Sequence, residues 1–154
     1  MTFLIDIRMA DRRWRKVRGL SARLRRSAEF ALKRGRAPAG ARLTILLAGD
    51  RQLKELNHHF RGKNKATNVL SFPADRAKGA YLGDIALAYG VTAEEARTGA
   101  VHVVDHAMHL TVHGVLHLLG FDHETKRGAA VMEPLETKIL NELGVADPYA
   151  TKAA

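Results

Sequence analysis

Two rhythms of apolar residues alternate along this chain of 154 residues. A strand buries every second side chain, and a helix buries positions three and four apart. Residues 3–7 alternate and carry Phe3, Leu4 and Ile5, which predicts a first strand. From Arg12 to about Lys33, Trp14, Val17, Leu20, Leu24, Ala28 and Ala31 recur at helical spacing, which predicts one amphipathic helix. Residues 35–40 read as a loop. The Leu- and Ile-rich run Arg42–Ala48 predicts a buried strand. Asp50 is placed to cap the next helix, on which Leu53, Leu56 and Phe60 share a face. After the polar loop 61–68, Val69–Phe72 predicts a strand stopped by Pro73. Residues 74–79 read as a turn, and Tyr81–Tyr89 as another strand. Thr92 and Glu95 form a capping box for a short helix ending near Gly99. A helix from Asp105 to about Leu119 is apolar on one face through Ala107, Leu110, Val112, Leu116 and Leu119. A last helix runs from Lys126 to Leu143, with Gly144 as its stop and Pro134 as a start, kink or split within it. Mixed in this order, the elements predict one α/β or α+β layer structure.

Composition narrows the class. Hydrophobic residues make up 46% and charged residues 27%, ordinary values for one globular domain with a real core. There is no cysteine. Disulfides, thiolate ligands and cysteine nucleophiles are therefore excluded, which fits a reducing compartment. The apolar run at the N-terminus contains Asp6 and makes a poor signal peptide. No stretch approaches the ~20 apolar residues that span a bilayer. The expectation is a cytoplasmic protein with no membrane partner, one domain over 1–145 and a frayed tail over 146–154.

The net charge of +9 is concentrated. Residues 8–36 hold 12 Lys and Arg against 2 Asp and Glu, and the remainder is close to neutral. Such a segment faces polyanions, with nucleic acid the first candidate. A solvated helix face or a membrane-surface helix has the same composition. Nucleic acid comes first because residues 109–124 supply chemistry that a membrane anchor does not use.

Those residues carry His113, His117, Gly120 and His123 in the pattern HxxxHxxGxxH. Four residues apart on a helix, His113 and His117 present their rings on one face. Gly120 can take the left-handed conformation that ends a helix and lets His123 fold back. Three imidazoles at about 2.0–2.1 Å with a fourth position open describe a catalytic zinc site. The set also suits nickel, copper and iron. His102, His106 and His109 extend the same face upstream, without a glycine turn to close a second set. The spacing is shared with the metzincin peptidases, except that Gly114 stands where they carry a glutamate, so a peptidase would lack its general base.

Residues 109–123, HLTVHGVLHLLGFDH, resemble the signature of the YbeY family of bacterial endoribonucleases. So do Leu56-Asn57…Phe60-Arg61 followed by Thr67-Asn68-Val69-Leu70-Ser71-Phe72-Pro73, Leu82-Gly83-Asp84-Ile85, and Met132, Glu136 and Ile139-Leu140 in the last helix. The similarity runs from about residue 43 to 144. It implies an α+β fold with a small mixed sheet packed on helices and a zincin-like histidine helix. It implies one zinc ion per chain held by His113, His117 and His123, with Arg61 as the catalytic residue. It also implies cleavage of single-stranded RNA, maturation of the 3′ end of 16S ribosomal RNA, and ribosome quality control. The ribosome and its RNA would be the partners, with the basic segment 12–33 a candidate contact. The chain departs from the family pattern at Asn64, Ala66 and Asn68, where Asp, Pro and Asp are usual.

Without the family, the residues leave choices open. Zinc and an arginine suit phosphodiester cleavage, since both neutralise phosphate charge. A ribosome-assembly factor that binds RNA and carries a structural metal is the alternative, and a hydrolase of another substrate is a third. His109 is a partner of the site or a core-edge histidine. Asp122 orients a ligand ring or caps the last helix. Ser71 touches substrate or ends a strand. His58 and His59 face solvent, and Met132 belongs to the core.

Overall fold

In the computed structural model, which describes residues 2–62, 67–75 and 79–146 apart from the side chain of Arg61, four strands form one mixed sheet. They are β1 (Leu4–Met9), β2 (Arg42–Ala48), β3 (Val69–Pro73) and β4 (Tyr81–Ala88). Their order is β1-β2-β4-β3, with β1, β2 and β4 parallel and β3 antiparallel to β4. The helices are α1 (Leu20–Arg34), α2 (Asp50–Arg61), α3 (Tyr89–Thr98), α4 (Val103–Leu118) and α5 (Lys126–Leu143). The expected Asn64 and Ala66 and the end of the expected tail, 147–154, fall outside the described residues.

Strand alternation divides the sheet into two faces. Ile5, Leu43, Ile45, Leu47, Ile85 and Leu87 point into the main core with α1, α4 and α5. On the other face Ala48, Leu70, Ala86 and Ala88 meet Leu53 of α2. That smaller core covers part of the face only. Gly83, at φ +137°, has no room for a side chain, because a Cβ there would lie 2.2 Å from the carbonyl of Phe72. The two strands that carry the site's edge are thereby kept close.

The sequence reading holds for β2 and α5, residue for residue. Pro134 stays inside α5 without splitting it. Three expectations change. The helix expected over 12–33 is a short 3-10 turn, Arg12–Lys16, followed by α1, because Val17 is extended and Gly19 is left-handed at φ +66°. The capping box at Thr92 does not form. α3 begins four residues earlier, with Ala88 as its N-cap, and Thr92 is buried inside it. The cap comes from far away in the chain: Asp50 accepts the Val91 N–H at 2.9 Å. Asp50 itself is the first residue of α2, whose N-cap is Gly49 without a side-chain bond.

Candidate metal centre

α4 supplies two of the histidines, and its end supplies the turn. Ala107, Leu110, Val112 and Leu116 bury its apolar face, with Leu119 partly buried just beyond. The helix closes in a Schellman motif: Gly120 donates to the carbonyl of His117 and Phe121 to that of Leu116, both at 3.0 Å. Gly120 has φ +100°. The chain reverses there and returns His123 to the helix.

Nε2 of His117 lies 3.0 Å from Nε2 of His113 and 3.1 Å from Nδ1 of His123. One nitrogen from each ring falls within 4.8 Å of the other two, and among the described residues no other group of three does so. A tetrahedral ion with bonds of about 2.0–2.1 Å holds its ligand atoms roughly 3.3 Å apart. His117 stands close to that spacing from both of the other rings.

Their protonation suits a metal as well. Glu136 of α5 is 1% exposed and accepts from Nδ1 of His113 at 2.6 Å, while Nε2 of His109 lies 3.3 Å from its other oxygen. Burial alone would raise this carboxyl. Hydrogen bonds from His109 and His113 outweigh it and hold the pKa down at about 2. An ionised carboxylate only accepts, so Nδ1 of His113 carries the proton and Nε2 keeps its lone pair toward His117. The pKa of His117 is pushed down to about 4 by burial and by the neighbouring His113 and His123. Near neutral pH it is an uncharged ligand.

The other candidates sort themselves by contact. His109 partners Glu136, and His106 pairs with Glu95 at 2.8 Å, so the upstream histidines do not join the three. Asp122 takes neither expected role: it accepts the backbone N–H of Glu124, and Thr125 caps α5. Ser71 donates to the carbonyl of Gly114 at 3.1 Å. Asn68 donates to Glu95 at 2.9 Å, a bond that the family's usual aspartate would replace with repulsion. His58 and His59 are exposed, and Met132 is fully buried. Arg61 is the last residue of α2; its side chain lies outside the described part of the chain. Glu136 entered the sequence reading only as part of a resemblance. It stands 23 residues from His113, and only the packing of α5 on α4 makes them neighbours.

Gly114 faces the sheet. A Cβ there would lie 2.9 Å from Ile85, so the helix or that side chain would have to give way before any larger residue fits. The three rings open instead on a groove of about 1280 Å³, lined also by Phe60, Asn68, Ser71 and Phe72, that extends to Arg8, Thr44 and Asp84 on the uncovered part of the sheet. Among the described residues no helix is long and apolar enough to cross a membrane.

Fold and site together define a zincin-like protein: a small mixed sheet carrying a three-histidine helix that closes on a glycine turn. The chain belongs to the endoribonuclease YbeY family, whose profile matches residues 7–144. Endoribonuclease YbeY of Maricaulis maris is 43% identical over 145 residues, covering 94% of this chain and 91% of the relative. That of Chelativorans sp. is 41% identical over 153 residues, covering 96% and 94%. A solution structure from Thermotoga maritima shares the fold, with a TM-score of 0.57 at 24% identity over 95% of this chain and 99% of that one.

Proposed function

We propose that the chain is a zinc-dependent endoribonuclease that cuts single-stranded RNA, acting in the cytoplasm on the 3′ end of 16S ribosomal RNA and in ribosome quality control. Family membership supports the reaction class. The observation that carries the metal is the convergence of His113, His117 and His123 within 4.8 Å beside an open groove. A zinc ion held there supplies Lewis acidity toward a phosphoryl oxygen and lowers the pKa of water to about 7. Glu136 fixes the ring of His113 with its lone pair inward. His117 stays neutral by virtue of its burial and its neighbours. Arg61, at the end of α2, is assigned to the phosphate, for which its planar donor fork is suited. The basic segment 12–33 contributes attraction for RNA or the ribosome, and Arg8 of β1 adds a charge in the groove itself.

The assembly-factor alternative needs a closed structural site, normally with four protein ligands. Three histidines meeting at a groove favour catalysis. The test is elemental analysis of the purified protein and of His117→Ala, with a single-stranded RNA cleavage assay on both. About one zinc per chain is expected in the natural protein, with metal and cleavage lost together in the variant. Cleavage that persists without metal would reject the proposal.

A further inference from the structure

Helix α2 begins as an ordinary amphipathic helix and ends otherwise. On its apolar stripe Leu53 is fully buried and Leu56 partly so, but Phe60, one helical turn on, is 62% exposed. Its ring meets Phe72 edge-on, with centroids 5.3 Å apart, and His59 at 4.7 Å. An aromatic ring left this open contributes little to the core. The remaining exposed large hydrophobics among the described residues are Leu4, Met9, Val101 and Val131, and none of them lines the groove. None of these four therefore extends Phe60 into a wider exposed patch. Phe60 lies in the groove that holds the three histidines, on one stripe with Leu56 and against Phe72, and Asn68, Ser71 and Asp84 line the same groove. An exposed aromatic face in a groove that also offers polar groups matches a nucleobase, which is flat on its faces and polar at its edges.

We propose that Phe60, braced by Phe72, is a stacking platform for one base of single-stranded RNA flanking the phosphate held at the histidines. The inference rests on the endoribonuclease reading and adds a binding subsite to it. It gives a physical basis for single-strand preference. A base paired in a duplex has its faces covered by its neighbours and cannot lie on the ring, whereas an unpaired base can. Stacking is tolerant of base identity, because every base has a π face.

The test uses the metal-loaded protein with Phe60→Ala and Phe60→Trp. Alanine is the strongest helix former, and the site is exposed, so α2 keeps its fold. For a single-stranded oligoribonucleotide, kcat/KM of Phe60→Ala should fall about five- to hundredfold, and Phe60→Trp should restore it. Metal content should not change. Oligonucleotides made abasic at one position at a time should include one on which the natural protein drops to the rate of Phe60→Ala, while the variant is unaffected. Added RNA should also quench the indole fluorescence of Phe60→Trp, against a background from the fully buried Trp14. Equal rates for Phe60→Ala and the natural protein, or abasic losses shared by both at every position, would overturn the platform. If no variant cleaves RNA but RNA still quenches Phe60→Trp, the platform stands and the nuclease assignment falls. Absence of both cleavage and quenching removes the platform as well.

Discussion

The histidine end and the arginine end of this protein are both polar, yet they are built on opposite plans. Around His113 the anchoring group is buried and doubly held: Glu136 is 1% exposed and spans two histidine rings. Around α1 the charges stand in solvent. Arg13 and Arg23 keep 51% and 55% of their side chains exposed even where they pair with Asp11 and Asp105. Arg12, Arg15, Arg18 and Arg26 are exposed as well. Buried, partnered groups set geometry to a fraction of an ångström, which is what holding an ion demands. Exposed, screened charges add to a long-range field and impose no geometry. On the proposed function the difference separates where bonds would be cut from how RNA would be gathered, and each half can be disturbed alone.

Among variants that keep the metal, the largest effect should come from Arg61→Glu. RNA cleavage should fall by about a hundred- to a thousandfold with zinc content unchanged, as when a transition-state donor is removed. Cleavage at the natural rate would remove Arg61 from its assigned role. Next, Glu136→Ala should weaken zinc binding roughly ten- to a hundredfold, read by competition with a chromophoric chelator. Glu136→Gln, which can still accept from His113, should lie between. Equal affinity in all three proteins would mean that the ring needs no orienting partner.

On the other side of the comparison, Arg15→Glu combined with Arg26→Glu should leave zinc affinity intact. RNA affinity should fall evenly across sequences, and the slope of log K against log salt should shrink by about one for each phosphate that the variant no longer neutralises. A sequence-dependent loss would show that these arginines read bases. The smallest effect should be on stability. The ring of His117 takes a proton near 6.5 when unfolded and near 4 when folded. Within that window the unfolded metal-free chain binds the extra proton, so lowering pH favours unfolding. Glu136 acts in the same direction between 4.5 and about 2, since its ionised form is the one that the fold holds. The melting temperature of metal-free protein should drop by about a few degrees between roughly pH 7 and 5, and zinc should raise it more at pH 7 than at pH 5, because the ion and the proton compete for the same ring nitrogens.

Sequence periodicity reaches as far as local physics reaches. β2 and α5 were legible because their apolar positions and stop signals lie within the elements themselves. The histidine motif was legible because one helix and one glycine turn bring its members together. The break at Gly19 was not, since helical spacing continues across it while the backbone turns left-handed. Nor was the start of α3, where the partner of Val91 is Asp50, 41 residues away. Glu136 belongs with these. Its part in the site depends on which face α5 turns toward α4, and that is decided by the packing of Met132, Ile139 and Leu140 in the core.

Gly114 bears on how this protein relates to peptidases with a similar histidine spacing. In sequence, one substitution separates HGxxH from HExxH, and exchange of function looks a single step away. In space the step is obstructed. The Cβ of the new side chain would lie 2.9 Å from Ile85, so the helix or that side chain must shift to admit it, and the glutamate would bring a charge to a buried position. Selection or engineering starting from this chain would have to repack that contact before it could use the new carboxylate. The two chemistries are neighbours in sequence space but are separated by the thickness of a methyl group between a helix and a sheet.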